Sequence, residues 1–229
     1  MYHPKLDEGC DIKIVGIGGA GLSIVSHMCL SGIVGAQCIV MNTEAATLVA
    51  SPCQNKVLLG HGRLERGPSL GRQSVLESDE DVRAAIFDAR LLILVGGLGG
   101  NTATSALPLI VQMAKEMDIF VVCMVIMPLE FEGRGRRERA KEGMELLGQI
   151  ANNIIVFQSE HFLQGLPKTA SIADGYKIAN DMLLEGACYI AGLLDLDTGD
   201  IDKKDFQYIK LCISNHDFFR QNRLGSGER

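Results

Sequence analysis

Glycine marks two places in this chain where backbone amides could be laid against phosphate oxygens. Gly16-Ile17-Gly18-Gly19-Ala20-Gly21 follows the apolar run Ile12 to Val15 and opens a helical stretch. In that setting glycines let N–H groups and a helix N-terminus close on an anion. Gly96-Gly97-Leu98-Gly99-Gly100-Asn101-Thr102-Ala103-Thr104-Ser105 repeats the arrangement after a second apolar run. Here Asn101, Thr102, Thr104 and Ser105 add short hydrogen-bonding side chains where a helix N-terminus favours negative charge. Two such loops point to a polyphosphate. The first loop alone also satisfies a dinucleotide fingerprint, which wants an acidic residue at the end of the next strand for the ribose. That strand ends Met41-Asn42-Thr43, and Glu44 comes late. A nicotinamide or flavin oxidoreductase remains open as a rival, and so do plain turns that pack helix on strand. Neither loop carries the Gly-Lys-Ser or Gly-Lys-Thr of a Walker sequence, which disfavours ordinary P-loop enzymes.

The elements that would position these loops are legible as apolar runs. Strands are expected at Ile12 to Val15, Cys38 to Met41, Leu91 to Val95, Ile119 to Ile126 and Ile154 to Phe157. Helices are expected at Leu22 to Leu30, Asp79 to Ala89, Ser105 to Met117, Arg136 to Ile150 and Ile172 to Leu194. Continuous apolar strands alternating with helices predict a parallel α/β sheet covered on both faces, with ligand bound beyond the carboxyl ends of the strands. Residues 1–194 read as one domain without repeats or linkers. The aspartate-rich run and polar tail of residues 195–229 read as an extension.

Composition narrows the partners. The 229 residues are 47% hydrophobic and carry a net charge of -6, so a core is available and no basic field exists to hold a nucleic-acid backbone. Trp is absent and aromatics are 5%, which leaves few stacking platforms for single strands. The longest apolar run, Ile119 to Leu129, is well short of the roughly 20 residues of a membrane helix. The seven cysteines are odd in number, scattered and free of any C-x-x-C pair. Several lie in apolar runs, where free thiols behave as small hydrophobes, and the cytoplasm reads as the compartment.

Four ordered segments resemble the GTP-binding domain of the FtsZ and tubulin superfamily over about Ile12 to Leu194. Ile12 to Met28 is similar to the first phosphate loop of FtsZ, and Met41-Asn42-Thr43-Glu44-Ala45 to its Asn-Thr-Asp-Ala segment. Gly99 to Pro108 sits where that family has G-G-G-T-G-[ST]-G followed by Ala, Ala and Pro. Pro128-Leu129-Glu130-Phe131-Glu132-Gly133-Arg134-Gly135-Arg136 resembles Pro-Phe-x-Phe-Glu-Gly-x-x-Arg. The resemblance implies a Rossmann-like parallel sheet of the FtsZ/tubulin type holding GTP or GDP, with Mg²⁺ bound through the phosphates. By the same resemblance Gly18, Gly19, Gly21 and Ser23 would contact the α- and β-phosphates, and Asn42 would belong to the nucleotide site. Gly99, Gly100, Asn101 and Thr102 would hold the β- and γ-phosphates with the cation. Glu132 would bond the ribose and Arg136 would lie beside sugar and base. Tyr176 would stack on guanine, and Asn180, one turn later on the same helix face, would read its edge.

The chain departs from that pattern in ways that carry expectations of their own. Asn101, Ala103 and Ser105 replace signature glycines and would bring side chains to a place where backbone closes on phosphate. Pro68-Ser69-Leu70-Gly71-Arg72 resembles the exit of the family's third phosphate loop, approached here by Arg63, Glu65 and Arg66. Ser159 stands where the family has Asn near the base. The family's acidic loop Asn-x-Asp-x-x-Asp is represented by Asp200 to Tyr208, in which only Asp205 aligns. Weak or absent intrinsic GTP hydrolysis is the expectation, because a carboxylate that orients the attacking water is missing. So is a chain without the second domain that completes a filament subunit. Expected partners are a guanine nucleotide together with either a second copy or an FtsZ-type filament protein. An interaction module that keeps the fold without nucleotide remains the alternative from another class.

Overall fold

The computed structural model describes residues 11–62, 70–151, 153–160 and 169–194. The described residues form one six-stranded sheet in the order β3-β2-β1-β4-β5-β6, with every neighbouring pair parallel. The strands are β1 (Ile12–Ile17), β2 (Gln37–Asn42), β3 (Asn55–Leu58), β4 (Leu91–Gly97), β5 (Phe120–Met127) and β6 (Ile154–Gln158). The helices are α1 (Gly18–Leu30), α2 (Ala45–Ala50), α3 (Leu70–Glu77), α4 (Asp79–Ile86), α5 (Ala103–Glu116), α6 (Arg134–Ile150) and α7 (Ile172–Leu194). Short 3₁₀ turns occupy Leu59–Gly62 and Glu130–Glu132.

The five expected strands and the helices between them are all present. The chain adds β3, α2 and α3, which have no long apolar run to announce them. The edge strand β3 is Asn-Lys-Val-Leu, with only Val57 buried. Strands covered on both faces lose the alternation of an exposed sheet, and β1 and β4 are accordingly buried almost end to end. Their side chains divide between two cores. Val15, Ile17, Leu92 and Leu94 join residues of α3, α4, α5 and α6 on one face, whereas Ile14, Leu91, Ile93 and Val95 join α1 and α7 on the other.

The sheet runs outward from β1 to β3, then returns to β4 and runs the other way. This reversal puts β1 and β4 side by side, in register from Ile12 opposite Leu91 to Ile17 opposite Gly96. Both glycine loops therefore leave adjacent strands at the same edge, the crevice where open parallel sheets bind ligands.

One expectation is corrected. Cys29 and Cys53 are paired as a disulfide, with Cα atoms 6.0 Å apart, so two of the seven cysteines are not free thiols. A sequence separation of 24 residues hides the pairing, because it depends on how α2 returns the chain beside the end of α1. Among the described residues no helix is long and apolar enough to cross a membrane.

Candidate functional site

The first loop is as tight as its composition allows. Gly18 turns at φ +70°, and a Cβ there would stand 3.3 Å from the backbone nitrogen of Ala103, so the two glycine loops abut. Gly21 is buried, and a Cβ on it would collide with the Val95 carbonyl oxygen; packing of α1 on β4 dictates the glycine. Gly19 differs. It is exposed, and a Cβ there would meet nothing within 4 Å. In the second loop a Cβ on Gly100 would meet only the Gly97 carbonyl oxygen, 3.9 Å away. At these two positions the protein itself leaves open space.

The second loop is held by one of its own side chains and by the neighbouring β5 and α6. The Leu98 N–H donates to the Ile126 carbonyl at 2.9 Å, the Gly99 N–H donates to Thr104 Oγ1 at 2.8 Å, and the Gly99 carbonyl accepts from Arg139 Nε at 3.2 Å. The replaced glycines turn out to serve neighbouring elements. Ala103 is 4% exposed, and its methyl lies close to where a Gly96 Cβ would be, in the core. Ser105 Oγ donates to the Asn101 carbonyl at 3.2 Å and accepts from the Arg72 N–H, also at 3.2 Å, which fastens the start of α3 to the loop. The Gly71 N–H donates to the Asn101 carbonyl at 3.3 Å, and a Cβ on Gly71 would strike the Thr102 carbonyl oxygen. The side chains of Ala103 and Ser105 thus face the core and α3, which corrects the expectation that they crowd the phosphate-binding backbone.

Asn42, at the end of β2, is 5% exposed and uses its amide to shape the chain. Its Nδ2 donates to Thr47 Oγ1 at 2.6 Å and its Oδ1 accepts from the Thr43 N–H at 2.9 Å. Thr43 Oγ1 lies 3.1 Å from Thr102 Oγ1, so this segment braces the second loop. These two bonds use one of the amide's two N–H donors and one oxygen lone pair, and the end of β2 offers no carboxylate for a dinucleotide.

Beyond β5 the turn containing Glu132 meets the start of α6. Glu132 Oε1 accepts from the Leu129 N–H at 2.7 Å, and Oε2 pairs with Arg136 Nη1 at 2.7 Å. Arg136 then lines a cavity of about 560 Å³ together with Ala20, Ser23, Ser159, Tyr176 and Asn180. Four sequence-predicted residues from α1, α6 and α7 are therefore gathered around one space. Tyr176 is 57% exposed, and Asn180 lies one turn along the same helix. Ser159 Oγ donates to the Met127 carbonyl, so this side chain is tied to the end of β5.

The position of α7 is fixed by its first turn and by α1. The Ser171 N–H donates to Asp174 Oδ2 at 2.8 Å, and the Asp174 N–H donates back to Ser171 Oγ at 3.2 Å, a reciprocal cap. The Ser171 hydroxyl also donates to Asp174 Oδ2 at 2.7 Å, and this bond first, with the one from the Ser171 N–H, holds the Asp174 carboxyl below its ordinary pKa. Two turns further along, Asp181 Oδ1 meets His27 Nε2 of α1 at 2.9 Å. Arg63, Glu65, Arg66 and the run 200–208 with Asp205 lie outside the described residues. Sequence reading missed Arg139, which has no motif around it: Arg134 to Lys141 reads as an ordinary charged helix face.

A parallel α/β sheet with two glycine loops meeting at its reversal point defines a nucleotide-binding fold. The Tubulin/FtsZ family, GTPase domain, matches residues 11–166, and the chain belongs to that family. Cell division protein FtsZ 1 of Methanocaldococcus jannaschii is 31% identical over 211 residues, covering 89% of this chain and 57% of the relative. Cell division protein FtsZ of Helicobacter pylori is 34% identical over 193 residues, covering 82% of this chain and 50% of the relative. Among solved structures, an empty FtsZ dimer of M. jannaschii superposes with a TM-score of 0.76 at 28% identity, over 90% of this chain and 61% of that one. CetZ2 of Haloferax volcanii, a GTPγS-bound protofilament, shares the fold with a TM-score of 0.70 at 21% identity, over 85% of this chain and 61% of that one. The chain spans about half the length of the curated relatives it matches.

Proposed function

We propose that this chain is the guanine-nucleotide-binding part of an FtsZ-like cytoskeletal or filament-regulating protein that binds GTP and GDP and hydrolyses GTP slowly or not at all. The observation that carries the reading is one cavity that collects Ser23, Arg136, Tyr176 and Asn180 together with Ala20 of the first glycine loop, and whose Arg136 packs against Gly99 of the second. Tyr176 supplies a flat ring for the base, and the Asn180 amide, which both donates and accepts, matches the guanine edge. Arg136 lines this cavity and is paired with Glu132, the two residues proposed to meet the ribose.

The loops fit the phosphates. Gly19 and Gly100 leave room for atoms that a side chain would displace, and the backbone at the start of α1 and α5 favours an anion. Mg²⁺ would arrive on the phosphates, with Thr102 the hydroxyl that the family resemblance assigns beside it. The cation would neutralise phosphate charge; the chain's own part is to hold and orient the nucleotide. Slow hydrolysis rests on the sequence of residues 200–208, which keeps only Asp205 of the acidic loop. A cytoplasmic setting, with a second copy or an FtsZ-type filament as partner, completes the proposal; the dimer and the protofilament in the titles of the similar structures support the partner.

Titration of the purified chain with GTP, GDP, ATP and NAD tests the reading. Guanine nucleotides should bind most tightly, and Asn180→Ala should erase the preference over adenine. Equal or tighter binding of ATP or NAD overturns it, and no binding of any nucleotide favours the interaction module. Phosphate release tests the second half: turnover should be near background, and a fast rate abolished by Asp205→Ala would refute it.

A further inference from the structure

The geometry points to Arg139 as a positioning residue that sets the second glycine loop for the outer phosphates of the nucleotide; this inference rests on the guanine-nucleotide reading above. The two peptide units that flank the Gly99 Cα are each held. The Gly99 N–H donates to Thr104 Oγ1 at 2.8 Å, and its carbonyl accepts from Arg139 Nε at 3.2 Å. Gly99 itself turns at φ +88°, a conformation that needs external support to stay in one orientation. Arg139 reaches the loop because α6 lies directly against it. A Cβ on Gly143 would collide with the Thr104 methyl, so a glycine one turn beyond Arg139 is what allows the approach.

The charge of Arg139 is the second part of the argument. The other arginines at the start of α6 are each matched by a carboxylate: Arg134 by Glu138, Arg136 by Glu132 and Arg137 by Glu130. Arg139 has no carboxylate partner among the described residues, and its bond goes to a neutral carbonyl. It is also half-buried, so its charge is screened less than that of its exposed neighbours. An uncompensated, permanently charged guanidinium against an anion-binding loop favours a ligand in proportion to the negative charge that ligand brings there. The consequence is selective. Arg139 should matter little for a nucleoside monophosphate, whose single phosphate sits on the first loop, and most for a triphosphate.

The test compares the affinities of GMP, GDP and GTP with Mg²⁺ for the purified wild-type chain, Arg139→Gln and Arg139→Lys. Arg139→Gln should weaken GTP about tenfold, the scale of one lost charged hydrogen bond, and leave GMP unchanged. Arg139→Lys keeps the charge without the Nε geometry and should lose about threefold for GTP, again with GMP unchanged. It also carries the test if the glutamine variant does not fold. A loss shared equally by GMP and GTP would show a merely structural role and overturn the inference, as would unchanged affinities in both variants. Wild-type protein that binds none of the three would instead overturn the guanine-nucleotide reading and take this inference with it.

Discussion

Gly99 turns at φ +88° directly against Arg136: a Cβ on Gly99 would stand 2.5 Å from the Arg136 carbonyl oxygen and 2.8 Å from its Cγ. The second glycine loop and the first turn of α6 are therefore fitted to one another. Two parts of the site that lie far apart in sequence share a single contact.

Gly99→Ala should be costly on both counts. The φ angle alone costs about 1–2 kcal/mol for an alanine, and relief of the collision must move either the loop or α6. Thermal melting should show the loss of stability. Nucleotide titration should show a larger loss for GTP than for GMP, because the displaced backbone belongs to the second loop. A variant with wild-type melting and binding would contradict this account of the contact.

Glycines in and against the two loops should separate into two behaviours. Gly21→Ala and Gly71→Ala place a methyl onto the backbone of Val95 and Thr102, respectively, so each should destabilise the fold whether or not nucleotide is present. Gly19→Ala and Gly100→Ala have room in the protein alone and should melt within about a degree or two of wild type, as surface changes of under 0.5 kcal/mol do. Their cost should surface as weakened binding of nucleotide. Normal affinity in both would mean that the open space beside these glycines is not where phosphate sits.

The sequence carried the frame of this site well because buried parallel strands are written as unbroken apolar runs and the loops between them as glycine clusters. Ile12 to Val15 and Leu91 to Val95 are legible for that reason. The edge strand Asn55–Leu58 is not, since a short, half-exposed strand needs little apolar sequence. Side-chain direction was the harder quantity. Ser105 and Ala103 stand at positions of close backbone approach, yet one faces α3 and the other the core, which only the packing of three elements decides. Arg139 was invisible for the same reason: its partner is a carbonyl 40 residues away.

The start of α7 should respond to acid. Bonds from the Ser171 hydroxyl and N–H hold Asp174 below its ordinary pKa, so this group adds stability above the unfolded-state pKa of an aspartate, and that contribution is lost as pH falls through the lowered folded value. Because Tyr176 and Asn180 follow within two turns, base binding should weaken over the same acidic window. Asp174→Asn should reproduce the acid behaviour at neutral pH and flatten this part of the pH dependence. An unchanged profile in that variant would place the acid response elsewhere.

The cysteines give a prediction that needs no ligand. Cys123 is buried in β5, and burial pushes its thiol up to about 12, so it should resist alkylation until the protein unfolds. Cys188 is exposed on α7; partial burial of its sulfur, with Glu185 adding to the effect, raises its pKa, so it should react more slowly than a free thiol but ahead of Cys123. Cys29 and Cys53 should be recovered as one linked peptide under non-reducing digestion. The linkage closes the stretch from α1 across β2 and α2, so reduction, or Cys53→Ser, should lower stability by about 2–4 kcal/mol, the usual worth of such a constraint. Since α1 also carries the first glycine loop, the reduced protein should bind nucleotide less tightly when warmed toward its melting point and equally well far below it. Recovery of both residues as free thiols from protein purified without reductant would remove the constraint and this prediction together.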